Sequence, residues 1–391
     1  MSDQYLHGVR VIEINQGTRP VRTLATAVIG VVCTAPDADG DVFPLNKPVL
    51  ITDPTAAIAK AGKQGTLART LDAIGDMVRT PTIVVRVEHS DDESTMNSNV
   101  IGTVTEQGEY TGLQALLIAN TVCGLKPRIL AVPKYDTQAV ASELAGICKK
   151  LRAFGYISTA GAETRDAAVQ YAQNFGQREL MMIHGDFLSW NTAIDQFDTD
   201  YAVARAVGLR AYIDKTFGWH KNISNVAIDG VTGVTKPMSF DIQDDSTDVN
   251  LLNSKNIAVP IKFSGFRIWG GRTLSSDKLF AFEQYTRTAQ IIADTFGEAF
   301  DWAIDKPLTP SLVKDMVEMI NAKFREWKSL GYIVDGKAWV DADINSKDVI
   351  KDGRFYIDYD YTPMPSLENL NLRQRITDKY LMDFAAKVAA A

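Results

Sequence analysis

The sequence is poor in cysteine and histidine, the residues that most often build disulfide frameworks and metal centres. Its 391 residues include only three cysteines, Cys33, Cys123 and Cys148. An odd number of cysteines next to apolar residues is typical of reduced thiols in a cytosolic protein. The histidines are too far apart in sequence to form a local zinc pair: His7, His89, His184 and His220. We therefore expect neither disulfide bonds nor a metal site.

Long apolar runs are also missing. No stretch approaches the roughly 18 apolar residues of a membrane-spanning helix, and residues 1–7 lack the basic start and apolar stretch of a signal peptide. The formal net charge of -7 is unfavourable for a protein whose main partner is nucleic acid, because Lys and Arg dominate that binding. We therefore expect neither export by a signal peptide, nor membrane binding by the chain itself, nor a nucleic-acid partner.

What is present is the composition of an ordinary globular protein. Apolar residues make up 46% of the chain and charged residues 23%, and the prolines are scattered. A chain of this length is too long for one average domain, since domains usually have about 100 to 200 residues. The composition and length together favour two globular units.

Strand-like and helix-like segments alternate in the first half of the chain. Residues 27–33 are apolar on both faces, as in a strand buried within a covered sheet. Further strands are predicted at residues 49–52, 81–87, 128–132, 155–158 and 180–183, and helices at 54–61, 67–77, 112–119, 137–154 and 163–174. This alternation predicts an α/β fold with a parallel or mixed sheet flanked by helices. Residues 90–109 are polar and are predicted to be an exposed loop or a small appendage.

A second unit is predicted after residues 220–255, which are rich in Gly, Asp, Ser and Asn. Apolar residues at helical spacing predict long helices over residues 280–300 and 310–330. The second of these has Thr309 as its N-cap, Pro310 in its first turn and Gly331 after its end. Residues 354–361 alternate with period two and predict a strand, with Phe355, Ile357, Tyr359 and Tyr361 on one face and Asp358 and Asp360 on the other.

Both ends of the chain carry strand-like segments, at residues 8–14 and 370–376. Polar or proline-bearing connectors join them to the rest of the chain. Terminal strands of this kind can pair with the sheet edge of a neighbouring subunit, where backbone hydrogen bonds are otherwise unmet. The apolar residues expected to take part are Val9, Val11, Ile12, Leu370, Leu372 and Ile376.

Motifs for binding phosphate are absent, although an α/β sheet makes a nucleotide-binding enzyme the first functional alternative. Residues 62–66 lack the spacing of a P-loop, and residues 265–271 lack the dinucleotide-binding fingerprint. Residues 341–345 begin like a calcium loop, but Ser346 and Asp352 stand where Gly and Glu are needed. We interpret these segments as turns and a solvated loop, and expect no cofactor-binding or metal-binding residues.

His184 is the one position that deserves inspection as a catalytic group, because it follows a predicted strand at residues 180–183. A loop histidine without a chemical role is the alternative. No Gly-x-Ser-x-Gly motif of a hydrolase is present. We therefore predict no catalytic residues and no enzyme.

The predicted helix over residues 310–330 carries four cations among acidic residues: Lys314, Lys323, Arg325 and Lys328. A solvated face of mixed charge is the first interpretation. The second is an electrostatic docking face for an acidic partner, which requires the cations to converge in space.

Several segments together resemble the tail sheath proteins of contractile-tailed temperate phages and of R-type pyocins. They follow the family's order and cover nearly the whole chain: residues 111–117, 126–130, 150–154, 230–233, 265–274, 301–307 and 357–380. The most specific combination is GFRIWGGRTL at 265–274 followed by DWAIDKP at 301–307. Gly271 departs from the Asn of many relatives, at a turn position.

The resemblance implies a structural subunit that polymerises as stacked hexameric rings into a helical sleeve around a rigid tail tube. Contraction of the sleeve would drive the tube through the envelope of a target cell, without a cofactor. The implied partners are further copies of the chain, the tail tube protein, and the baseplate and tail terminator proteins. The implied location is the virion tail, assembled in the cytoplasm of a bacterial host.

The resemblance also implies a division of the chain. Residues 1–20 and 366–391 would be arms exchanged between subunits, 21–250 an inserted outer α/β domain, and 251–365 an inner α/β domain that contacts the tube. The docking helix of the family matches residues 310–330 best. This makes Lys314, Lys323, Arg325 and Lys328 the candidates for contact with the tube.

Overall fold

The computed structural model describes residue 21 and residues 24–390, apart from the side chains of residues 382, 383, 385 and 386. The predicted N-terminal strand at residues 8–14, with Val9, Val11 and Ile12, lies outside the described residues.

The strands and helices, in chain order, have the following bounds. The strands are β1 (Ile29–Thr34), β2 (Pro48–Ile51), β3 (Thr82–Val87), β4 (Ile129–Ala131), β5 (Phe154–Ser158), β6 (Leu180–Ile183), β7 (Phe187–Asn191), β8 (Gln196–Asp200), β9 (Ala227–Ile228), β10 (Gly233–Val234), β11 (Ile257–Lys262), β12 (Phe266–Trp269), β13 (Ile333–Trp339) and β14 (Asp358–Pro363). The helices are α1 (Pro54–Ala57), α2 (Leu67–Met77), α3 (Glu93–Ile101), α4 (Ala119–Cys123), α5 (Gln138–Leu151), α6 (Arg165–Ala172), α7 (Ala202–Thr216), α8 (Asp248–Ser254), α9 (Glu283–Ala299), α10 (Pro310–Ser329), α11 (Lys347–Lys351) and α12 (Leu381–Ala389).

A mixed sheet of nine strands runs through the molecule in the order β2-β3-β1-β4-β5-β6-β11-β12-β9. The strands from β3 to β11 are parallel to one another. Antiparallel strands close both sides of the sheet: β2 at one side, and β12 and β9 at the other. The predicted α/β fold with a parallel or mixed sheet flanked by helices is confirmed.

Apolar side chains cover both faces of this sheet, which explains why β1 is apolar throughout. On one face Val32, Val85 and Leu130 pack with α3 and α5. On the other face the alternate residues of the same strands pack with α2 and α7. These two layers contain most of the buried apolar side chains. Full burial of one such side chain contributes about 1.5–3 kcal/mol.

A third apolar core joins α9 and α10 to a separate two-stranded sheet of β13 and β14. Two of its aromatic members, Trp327 and Phe324, are 0% and 1% exposed. Gly336 of β13 lies against the ring of Phe324, where an added Cβ would come within 2.9 Å of ring atoms. Only glycine allows the helix and the strand to approach this closely.

Most predicted elements are confirmed, but residues 90–109 are not simply a loop. They contain α3, whose N-cap Asp92 accepts a hydrogen bond from the Thr95 amide at 2.8 Å. Two apolar residues one helical turn apart, Met96 and Val100, attach α3 to the core. The predicted helix at residues 112–119 is instead a 3-10 segment (Gly112–Ile118) that leads into α4.

The C-terminal strands also differ from expectation. β14 begins at Asp358 rather than at residue 354, because the side chain of Asn345 already bonds the backbone of Tyr356. The Asn345 amide nitrogen donates to the Tyr356 carbonyl, and Asn345 Oδ1 accepts from the Tyr356 amide. Residues 370–376 pair with no strand in the described part of the chain. The division predicted after residue 250 falls inside α8, and strands before and after it share the nine-stranded sheet. The division into domains stays a prediction.

Candidate assembly surfaces

Three of the four cations predicted on helix α10 are exposed to solvent. Lys314 and Arg325 are exposed and eleven residues apart, which places them on one face of a helix. Lys328 lies on the same face. Arg325 pairs with Glu318 at 2.6 Å and Lys328 pairs with Asp335, whereas Lys314 has no ion-pair partner in the described part of the chain.

Lys323 does not join this face. It is 5% exposed, its ammonium lies 2.8 Å from Glu326 of the same helix, and it lies 5.4 Å from the centre of the Trp327 ring. Nine residues from Lys314 correspond to two and a half helical turns, so Lys323 is on the opposite side of α10. The four candidates therefore do not converge: three share the solvent face and one is packed against the core.

The sheet of β13 and β14 has two free edges, since within residues 24–390 these strands pair only with each other. Helix α10 covers one face of the sheet. Val334, Trp339 and Tyr359 are 46%, 39% and 37% exposed. A short sheet with free edges and exposed apolar side chains is a site at which a further strand can add.

The C-terminal segment leaves the body of the subunit from a defined anchor. Ser366 accepts hydrogen bonds from the side chains of Asn222 and Gln284, at 3.2 and 2.5 Å. The Glu368 carboxylate accepts hydrogen bonds from Nε and from a terminal nitrogen of Arg272. The Arg272 guanidinium also lies 4.9 Å from the centre of the Phe282 ring. The chain is thus held up to residue 368.

Beyond this anchor the segment exposes apolar side chains that a single subunit does not cover. The three residues predicted for strand pairing, Leu370, Leu372 and Ile376, are 66%, 83% and 97% exposed. In α12, Leu381, Phe384 and Val388 are at least 60% exposed as well. A row of exposed apolar side chains this long indicates a surface that another chain covers.

His184 follows β6 as predicted, but it is 1% exposed and its Nδ1 lies 2.8 Å from the Thr159 hydroxyl. Burial and the nearby Lys236 lower its pKa to about 4. Asp136, in the segment after β4, accepts hydrogen bonds from the backbone amide and the hydroxyl of Ser158 at the end of β5, and burial raises its pKa to about 6. His184 and Asp136 each have a hydroxyl partner inside the fold, Thr159 and Ser158.

Buried ion pairs and a hydrogen bond, which the sequence did not predict, join α9 to α7 and to β5 of the nine-stranded sheet. Asp214 of α7 pairs with Arg210 at 2.8 Å and with Arg287 of α9, and all three are at most 2% exposed. Glu283 of α9 contacts both Arg210 and the Tyr156 hydroxyl. The spacing of Arg210 and Asp214 was a usable signal, whereas the partners on α9 are distant in sequence and carried none.

Within the described residues, no cluster of three or more His, Cys, Asp or Glu side chains is arranged to hold a metal ion. No helix of that same part is long and apolar enough to cross a membrane. Cys33, Cys123 and Cys148 are free thiols.

Family models match three successive parts of the chain. They are the tail sheath protein Gp18 domain III N-terminal region over residues 26–87, the phage tail sheath protein central domain over 108–274, and the phage tail sheath C-terminal domain over 275–377. The last two meet after residue 274, beyond the division predicted after residue 250.

Curated relatives match over nearly their full length. The chain is 56% identical to the tail sheath protein of Escherichia phage P2, covering 99% of both chains. It is 43% identical to the major tail sheath protein of Serratia phage KSP20, covering 97% of both.

Solved structures with a similar fold come from contractile assemblies. One is the sheath complex of the extracellular contractile injection system PVC in its contracted state, with a TM-score of 0.73 and 15% identity over 97% of this chain and 99% of that one. Another is the contracted helical sheath of the anti-feeding prophage, with a TM-score of 0.70 and 17% identity over 95% and 99%. At these identities the likeness concerns the fold alone.

Proposed function

This chain belongs to the phage tail sheath family, and from this premise we propose that it polymerises as stacked hexameric rings around a tail tube and contracts to drive the tube through a target envelope. It is a structural subunit of a tail sheath. The observation that carries this conclusion is the 56% identity to a phage tail sheath protein over 99% of both chains. The family is structural, and no step of the proposed mechanism needs a cofactor.

We further propose that the two ends of the chain are arms exchanged between subunits. Leu370, Leu372 and Ile376 are largely exposed in the single chain, and covering each of them stabilises the assembly by about 1.5–3 kcal/mol. The free edges of the β13–β14 sheet supply backbone groups for added strands. Val9, Val11 and Ile12 would serve the same purpose at the other end.

Between the arms, residues 21–250 would form the outer domain and residues 251–365 the inner, tube-contacting domain. Strands β11 and β12 belong to the second of these ranges but extend the sheet that β1 to β6 form in the first, and the buried pairs of Asp214 hold α9 on α7. A continuous sheet and a packed helix support motion of the body as one unit. Contraction would then change the packing between bodies while the arms keep their hydrogen bonds.

The proposed contact with the tube is the solvent face of α10. Lys314, Arg325 and Lys328 lie on it, and Lys323, on the opposite side, would act through packing against Trp327. Exposed cations favour an acidic partner and speed its encounter at low salt. Further partners would be the baseplate and tail terminator proteins, in a virion tail assembled in the host cytoplasm.

Negative-stain electron microscopy of purified full-length protein tests the assembly. The full chain should form hollow, striated sleeves, and a variant that ends at Glu368 should remain as small soluble particles whose circular dichroism spectrum differs only by the loss of α12. The anchor contacts of Ser366 and Arg272 remain in this variant. Small particles from the full chain under all assembly conditions would contradict the proposal.

The tube contact has its own matched test. Reversing the charges of Lys314 and Arg325 to Glu should prevent extended sheath from assembling on tubes. Reversing Lys347 and Lys351 of α11, which are also exposed, changes the net charge by the same amount and should be tolerated. Normal extended tails from the α10 variant would refute the assignment of this face.

A further inference from the structure

Three cations converge on one buried carboxylate beside the start of β4 and β5. Lys126 and Arg128 precede β4, and Arg152 lies between α5 and β5. Asp294 of α9 is 3% exposed, lies 3.2 Å from the Lys126 ammonium, and also pairs with both guanidinium groups. Both segments that supply these cations, 126–130 and 150–154, are among those singled out in the sequence.

The charges of this cluster do not balance. The second carboxylate, Glu298, lies 3.8 Å from Arg128 and is 63% exposed. The nearby Arg287 is already paired with Asp214. Burial, together with Arg128 and Arg152, lowers the pKa of Lys126 to about 8. Three cations therefore face one buried and one largely hydrated carboxylate, and excess charge in a partly buried site is costly unless a partner neutralises it.

Arg152 presents the open side of the cluster. It is 50% exposed, and it engages Asp294 through Nε. Its two terminal nitrogens have no partner within the described part of the chain. Its backbone is left-handed, with φ at 49°, a conformation that costs a residue with a side chain about 1–2 kcal/mol. The free guanidinium fork matches the geometry of a carboxylate.

We propose that Arg152, with Lys126 beside it, binds a carboxylate of a second copy of this chain in the assembled sheath. This rests on the proposed function, because polymerisation is what brings two copies together. The occupant follows from charge complementarity: the chain has an excess of carboxylates, with a net charge of -7. Exposed acidic segments such as residues 91–93 and 241–245 can supply the group. One added carboxylate gives three anionic groups for three cations.

Zero-length cross-linking identifies the partner directly. Sleeves assembled from an equal mixture of unlabelled and nitrogen-15-labelled subunits are treated with a water-soluble carbodiimide, digested and analysed by mass spectrometry. The amine of Lys126 should form an amide with an Asp or Glu peptide of the other isotope, with loss of water after activation of the carboxyl group. Links from Lys126 found only within one isotope, as to Asp294, would overturn the proposal.

Substitution supplies the second measurement. Arg152→Ala should raise the subunit concentration needed for sleeves by about tenfold, the effect of one charged hydrogen bond, and should weaken the salt dependence of assembly. Lys149→Ala removes a neighbouring exposed cation outside the cluster and should change assembly little. Equal assembly by the two variants would overturn the proposal. Sleeves from the unsubstituted chain keep the proposed function intact in either case.

Discussion

Replacing Asp214 with Asn should destabilise the subunit far more than any exposed ion pair does. The Asp214 side chain is 0% exposed and is shared by Arg210, at 2.8 Å, and by Arg287. Asparagine keeps the volume but removes the charge, so Arg210 is left with Glu283 and Arg287 loses its ion-pair partner within the described residues. Removing one partner of a buried ion pair costs about 3–5 kcal/mol. Because the pair of Asp214 and Arg287 joins α7 to α9, its loss should weaken the packing of the third core against the nine-stranded sheet.

Equilibrium denaturation of the unassembled subunit measures this cost as the change in transition midpoint multiplied by the slope of the transition. The matched control is Asp335→Asn, which removes the partner of Lys328 at a site that is 63% exposed. Exposed pairs contribute about 0–1 kcal/mol. If Asp214→Asn lies within about 1 kcal/mol of the control, the buried pairs do not hold α9 in place and the reasoning fails.

Two further predictions concern backbone strain and pH. Gly102 has φ at 67°, and an added Cβ would lie 1.9 Å from the Thr111 carbonyl oxygen. In denaturant titrations, Gly102→Ala should therefore lower the free energy of unfolding by more than about 1–3 kcal/mol. Gly108→Ala should lower it clearly less, because Gly108 has φ at 80° but open space around it. The pKa of His184 is lowered to about 4, so its contribution to stability is complete above pH about 6.5 and is lost as pH falls towards 4. The stability difference between the unsubstituted chain and His184→Asn should shrink across that window, and a constant difference would contradict the burial argument.

The fold was predictable where the local sequence pattern of an element is enough to determine its structure. β1 is apolar on both faces because helices cover both sides of its sheet, and α10 begins with Thr309 and Pro310 as its caps indicate. Prediction failed where a few long-range contacts decide the outcome. Helix α3 depends on two buried residues, Met96 and Val100, among polar neighbours, and so few apolar positions gave no helical period.

The candidate surfaces show the same division. Counting turns from Lys314 would have placed Lys323 on the opposite side of α10, since nine residues are two and a half turns. The anchor of the C-terminal arm and the cluster around Asp294 join residues that are far apart in sequence, such as Arg272 and Glu368. Residues 370–376 have the alternation of a strand but no partner strand within residues 24–390, and a strand forms only when an edge is available.

A helical reconstruction of assembled sleeves by electron cryomicroscopy tests the central claim most directly. We expect residues 370–376 of one copy to form a strand on a free edge of the β13–β14 sheet of another copy, with Leu370, Leu372 and Ile376 covered. A reconstruction in which this segment folds back on its own subunit, with the β13–β14 edges of neighbouring copies unoccupied, would contradict the account.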